Sequence, residues 1–272
     1  VNAYADLATF KSKLSIEKFE DDAELLRLLE SASRRIEGIC NRSFYVETAT
    51  VYVNGNGASR LYLPRPYELL TVTSVLVDDD EDYDYDIAPV ENTDYWLWPD
   101  NTTYKWAIDL RPTSTVLTSW PAYRRAVKIA GLWGYENDTY DSGTNVATGG
   151  ISSSATSLPV DSPTAFSVGH TLLVESEQMY VTAVGTALTV ERAVNGTTAA
   201  AHVATKDIYI YRYPDQVKDA CLFAAHAMKE QEESPITQVI ASPEMGTLTV
   251  PRSVDRQLEA ILQGIIRPPE CI

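Results

Sequence analysis

The sequence predicts an α+β protein: a four-helix host core with helices from both chain ends, an antiparallel β-meander, and a small all-β inserted domain. Three observations predict it. Apolar residues recur at helical spacing near both chain ends, they alternate at strand spacing over residues 44–135, and residues 136–214 interrupt the pattern with a polar stretch and then short strands.

The first helix is expected over about 6–14, where Leu7, Phe10 and Leu14 share a face. The second, about 21–41, carries a stripe of Leu25, Leu28, Leu29, Ala32, Ile36, Ile39 and Cys40, with Asp21 and Glu24 placed like a capping box. Strands at 48–53 and 59–63 flank Asn54-Gly55-Asn56-Gly57, which reads as a hairpin turn. Further strands at 70–77, 83–87, 95–97, 105–110 and 126–132 complete a meander within 48–135.

Glu136–Ser154 is rich in Gly, Ser, Thr, Asn and Asp and reads as a linker. Strands follow at 158–160, 170–175, 178–184, 187–191 and 207–212, enough for a small barrel-like module. A third helix, about 215–231, gathers Val217, Ala220, Cys221, Ala224 and Met228 on one face. After a polar loop at 232–244 and a brief strand at 247–250, Ser253 caps a last helix, about 253–266, and Pro268-Pro269 stops it. The expected division is a discontinuous host domain, 1–141 with 212–272, and an inserted module, 150–211. The host is expected to fold without residues 140–210.

Composition narrows the function. A net charge of −16, from 38 acidic and 22 basic residues, leaves no broad cationic surface for neutralising phosphates, although an acidic wall can line a DNA conduit without holding the DNA. The three cysteines, Cys40, Cys221 and Cys271, are odd in number and far apart, which fits neither a disulfide framework nor a CxxC metal site. Neither a leader nor a membrane span is expected, and the Asn-x-Ser/Thr triplets at Asn41, Asn101, Asn137 and Asn195 read as chance.

His170 and His202 fall at expected turns, where exposure is the default, and His226 reads as a structural residue on its helix. No HExxH, GxSxG, Walker A or GxGxxG pattern occurs, so an enzyme is not expected. The acidic run Asp78, Asp79, Asp80, Glu81, Asp82, Asp84 and Asp86 is the strongest charge feature, but it lacks the Gly and Glu that a calcium-binding EF-hand loop needs at its sixth and twelfth positions. It reads as a solvated hairpin tip whose charges oppose edge-to-edge pairing. No cofactor or metal is assigned. The 16 tyrosines and 5 tryptophans leave one alternative, an aromatic-rich carbohydrate-binding or glycoside-hydrolysing β protein.

Several segments, in order, resemble a known family. Tyr4–Lys11, Asp21–Glu37, Cys40–Tyr45, Leu69–Val75, Gly131–Tyr135, Pro214–Cys221 and Val250–Arg252 with its following helix are similar to the head-to-tail connector (adaptor, or head-completion) proteins of tailed bacteriophages. The match covers 1–135 and 213–272 in patches. Within the interruption, Ser176–Val184 and Arg192–His202 resemble small β-modules of phage virion proteins.

The resemblance implies a structural virion protein, assembled in the host cytoplasm, that forms a ring of twelve copies between the portal and the neck or tail. Its partners would be the portal protein, a neck or tail-completion protein and copies of itself. DNA would pass through without specific binding, and no membrane is involved. Family members bind the portal through their C-terminal segment. This would map to Val254, Leu258, Ile261, Leu262, Ile265, Ile266, Arg267 and Pro268, a stripe that could face its own core or a neighbour. The acidic residues 78–86 would face the lumen or a basic partner.

Overall fold

In the computed structural model, which describes residues 2–16, 21–233 and 254–267, four helices and twelve strands follow one another. The chain runs α1 (Leu7–Leu14), α2 (Asp22–Cys40), β1 (Glu47–Val53), β2 (Arg60–Tyr62), β3 (Leu69–Val77), β4 (Tyr95–Trp98), β5 (Ala107–Leu110) and β6 (Val127–Trp133). It continues through β7 (Thr139–Asn145), β8 (Ser157–Leu158), β9 (Thr171–Val174), β10 (Glu177–Val184), β11 (Leu188–Glu191), β12 (Asp207–Tyr211), α3 (Asp215–Glu233) and α4 (Val254–Leu262). The fold is α+β with antiparallel pairing between strands. The brief strand expected at 247–250 lies outside the described residues.

The chain divides into two compact units, drawn differently from the expected host and insert. Unit one comprises Val1–Cys40, Thr139–Arg192 and Ala199–Ile272; unit two comprises Asn41–Asp138 and Ala193–Thr198. The helices therefore share a unit with the inserted strands, while the strands expected to belong to the host stand apart. The reason is visible in the contacts of unit one. Leu7 donates its amide to Val168 O at 3.0 Å, and the Tyr180 hydroxyl donates to Glu30 at 2.9 Å. Hydrogen bonds thus tie α1 to the segment before β9 and α2 to β10.

In unit one, Asp6 caps α1 by accepting from the Thr9 amide at 2.9 Å and the Thr9 hydroxyl at 2.7 Å. The α2 stripe buries Leu25, Leu28, Leu29, Ala32, Ser33, Ile36 and Cys40, each leucine worth about 1.5–3 kcal/mol relative to exposure. Small residues on α3, among them Ala220, Cys221 and Ala224, let it approach α2 until Ser33 Oγ and Cys221 Sγ are 3.4 Å apart. Ser33 also donates to Leu29 O and accepts from the Tyr4 amide, so this buried hydroxyl is satisfied.

The module is a six-stranded sheet in the order β7-β12-β9-β10-β11-β8. The five expected strands are present, and the sixth comes from the stretch read as a linker. Thr139–Asn145 is β7, paired antiparallel with β12. Its polar composition hid it, because among its residues only Thr144 is fully buried. The outer strands meet at a Val146–Val160 bridge, with Ala147 N donating to Pro159 O at 2.9 Å, so neither sheet edge is left open there. The core behind them includes Leu158, Leu172, Met179, Val181, Leu188, Ile208 and Ile210.

Unit two is not a meander. Its strands form two three-stranded sheets, β1-β6-β3 and β2-β5-β4, around one core that includes Leu61, Leu69, Val77, Ile108, Trp120, Ile129 and Trp133. Strands β1 and β2 lie in different sheets, so Asn54–Gly57 is a crossing rather than a hairpin turn. Gly55 and Gly57 donate to Tyr123 O and Trp120 O at 3.0 and 2.9 Å. A Cβ on Gly55 would lie 1.6 Å from Pro121 O, which is why glycine stands there. The strand expected at 83–87 shrinks to one bridge between Ile87 and Val77.

Candidate functional site

The C-terminal stripe is largely spent within its own chain. Leu258, Leu262, Ile265 and Arg267 are buried, and the Arg267 amide donates to Cys40 O at 3.0 Å. Of the two placements open to this stripe, its own core or a neighbour, these four take the first. Arg35 holds the start of α4 through Asp255 at 2.7–2.8 Å. Val254, Ile261 and Ile266 remain partly exposed, and Ile266 lines a groove of about 720 Å³ with Gly38, Ile39, Arg256 and Glu259. Pro268 lies outside the described residues.

The acidic run separates into one buried residue and six exposed ones. Asp78 is buried: Oδ1 accepts from the amides of Asp80 and Glu81 at 3.3 and 2.9 Å, and Oδ2 from that of Tyr83 at 2.9 Å. Burial opposes its charge, yet the Tyr123 hydroxyl and these amides outweigh that and hold its pKa below the ordinary value. Asp78 therefore anchors the loop and does not face a lumen or partner. The exposed Asp82 accepts from Asp84 N at 2.7 Å, a local turn leading into the region where a strand over 83–87 is expected.

Asp79, Asp80, Glu81, Asp82, Asp84 and Asp86 are exposed, and none forms an ion pair among the described residues. Crowding by Asp82 pushes the Asp80 carboxyl up. Oxygens of Asp78, Asp80 and Asp82 lie within 4.8 Å of one another, near enough to share a cation, but both Asp78 oxygens already accept amides.

The structure also assembles a charged cluster that the sequence does not announce. Glu177, fully buried at the head of β10, receives Arg192 Nε at 2.6 Å, Arg192 Nη2 at 2.7 Å, the Ala200 amide at 2.9 Å and His202 Nε2 at 2.8 Å. His202 Nδ1 lies 2.8 Å from Glu175, which also binds Lys206 at 2.6 Å and whose pKa is lowered by Lys206 and His202. The remaining Arg192 donors go to the carbonyls of Ser152, Ala155 and Ala200, so all five N–H groups are used.

His202 is thus buried, contrary to the exposed position expected for it. His170 is half-buried, accepts the Ser167 amide at Nδ1, and has its pKa lowered by burial. His226 is exposed, 3.7 Å from Glu230. The legible signal for the cluster was Glu177-Gln178 heading an apolar strand, since a charge at a buried strand position needs a partner.

In unit two, arginines lie on aromatic rings. The buried Arg42 guanidinium sits 4.8 Å from the centroids of both Tyr104 and Tyr135 and 3.4 Å from buried Glu68. Arg60 binds Asp109 with two bonds of 2.5–2.6 Å and covers Trp98, and Arg111 covers Trp96.

No protein-family model and no curated protein matches this chain.

Proposed function

We propose that this chain is a non-enzymatic structural subunit of a tailed-phage head-to-tail junction, forming a ring between portal and neck and giving DNA passage. The observation that carries the reading is that two separated segments resembling connector proteins meet in space. Gly134, with φ 147°, comes so close to Tyr45 that a Cβ would lie 2.5 Å from its carbonyl oxygen. Beside it Phe44 packs edge-on against Tyr135 at 5.3 Å, and Arg42 covers the same ring. The Cys40–Tyr45 and Gly131–Tyr135 segments thus form one packing unit. Their shared appearance in the sequence then has a structural reason.

The charge of −16 supports passage without adhesion, since like charge keeps DNA from sticking. With Leu258 and Leu262 turned inward, the portal-facing part of the C-terminal helix reduces to its outer side, around Val254, Ile261 and Ile266. Mixing purified protein with portal and measuring mass by light scattering tests the reading. A discrete complex of portal and multiple copies is expected, and free monomer at all ratios would count against it.

A further inference from the structure

Unit two carries an exposed patch built around an unusual arginine. Val90, Trp96 and Val116 are 57%, 44% and 45% exposed, large apolar side chains on three neighbouring segments. Buried Asp94 ties the segments beneath them: it accepts from Val90 N at 2.8 Å and Ser114 Oγ at 3.0 Å, and its carbonyl accepts the Arg111 amide at 2.8 Å. The Arg111 guanidinium lies 4.8 Å from the Trp96 centroid and donates Nη1 to Asn92 O. Its Nε is shielded from solvent with no hydrogen-bond partner, and no carboxylate pairs with it among the described residues. Trp and Arg held rigidly among apolar neighbours are the composition of an interface hot spot.

The complementary surface is on the same unit. The loop after β3 presents Tyr83, 55% exposed, among Asp79, Asp80, Asp82, Asp84 and Asp86. Tyr83 has φ 65° and Glu81 φ 68°, left-handed conformations that side chains rarely adopt, and the Asp78 carboxylate holds both amides in place. An exposed aromatic therefore stands among carboxylates that form no ion pair among the described residues. The loop follows β3 of the β1-β6-β3 sheet and Trp96 lies on β4 of the β2-β5-β4 sheet, and among the described residues no ion pair joins them.

We propose that the patch at Trp96 and Arg111 receives the acidic loop of a second copy of this chain. Tyr83 would pack among Val90, Trp96 and Val116, and a loop carboxylate would meet Arg111. Two different surfaces meeting in this way make a head-to-tail contact, which closes into a ring when its rotation allows. The proposal rests on the ring reading above.

The test uses three forms of the full chain: wild type, R111E, and a loop variant carrying D84K and D86K. Each variant alone should need about tenfold or more protein for half-assembly, because every contact then places like charges together. An equimolar mixture should assemble again, since each loop then meets a face of opposite charge in alternating order. Circular dichroism and melting of each variant separate misfolding from lost contact, and W96A, which keeps all charges, should weaken assembly as well. If variants with wild-type melting assemble like wild type, or the mixture stays apart, the proposed contact is wrong while the ring reading stands. If wild type itself never assembles, with or without portal, the ring reading falls too.

Discussion

Arg192 and Glu177 form a buried, two-pronged ion pair, Nε to Oε1 at 2.6 Å and Nη2 to Oε2 at 2.7 Å, in which the carboxylate is inaccessible to solvent. The pair joins β10 to the irregular segments around Ser152, Ala155 and Ala200, which have few ladder bonds of their own. Removing the cation leaves a desolvated carboxylate and three carbonyls short of a donor. The R192M variant is expected to lose about 3–5 kcal/mol in urea unfolding. A loss under 1 kcal/mol would mean that water or Lys206 replaces the guanidinium.

The hydrogen bonds between the module and the helices argue against a host that folds without it. Deleting residues 140–210 removes Val168 O from Leu7, and the buried Tyr180 with its hydroxyl from Glu30. The truncated chain should bind a hydrophobic dye and lose its cooperative melting. A sharp melting transition like that of the full chain would restore the idea of an independent insert.

Two glycines separate backbone necessity from tolerance. At Gly55 a methyl group would collide with Pro121 O, so G55A should force the crossing between sheets to move and lower the melting temperature. At Gly38, within α2, a Cβ has no atom within 4 Å, so G38A should stabilise by about 0.5–1 kcal/mol. Paired thermal melts of the two variants decide this.

Asp78 gives a pH dependence with a definite sign. Its folded pKa is depressed, so the stability it contributes is present above its unfolded value, about 4, and is lost as pH falls through the lower folded value. Unfolding measured from pH 6 down to pH 2 should show a shallower acid loss in D78N than in wild type, from a lower starting stability. Equal slopes would show that other carboxylates dominate.

Burial pushes the Cys221 thiol up to about 11, so at neutral pH it is an inert thiol against Leu29 and Ser33. Cys221 should resist maleimide in the native protein and react after denaturation, read by mass spectrometry of peptides. Native labelling would reveal opening of the α2–α3 contact.

The helices were legible because a period of 3.6 is local: the α2 stripe from Leu25 to Cys40 announces both its length and its buried side. Strand order was not, because pairing of β1 with β6 joins residues as distant as Glu47 and Trp133, and no local pattern distinguishes that partner from β2. The Gly and Asn of Asn54–Gly57 suggest a hairpin turn, and nothing local distinguishes that from the passage between sheets found there. Strand β7 escaped because polar residues with one buried threonine look like a linker. Asp78 could not be told from its acidic neighbours, since burial of one carboxylate among seven follows from where Tyr123 and the loop amides fall. Of the Arg192–Glu177–His202 cluster only Glu177, a charge heading an apolar strand, is legible, because its partners come from two other segments.

Electron microscopy of the full chain mixed with its portal tests ring assembly most directly. A closed ring seated coaxially on the portal, with neighbouring copies joined head to tail, is the predicted image. Isolated monomers beside bare portals, under conditions where both proteins are folded, would contradict it.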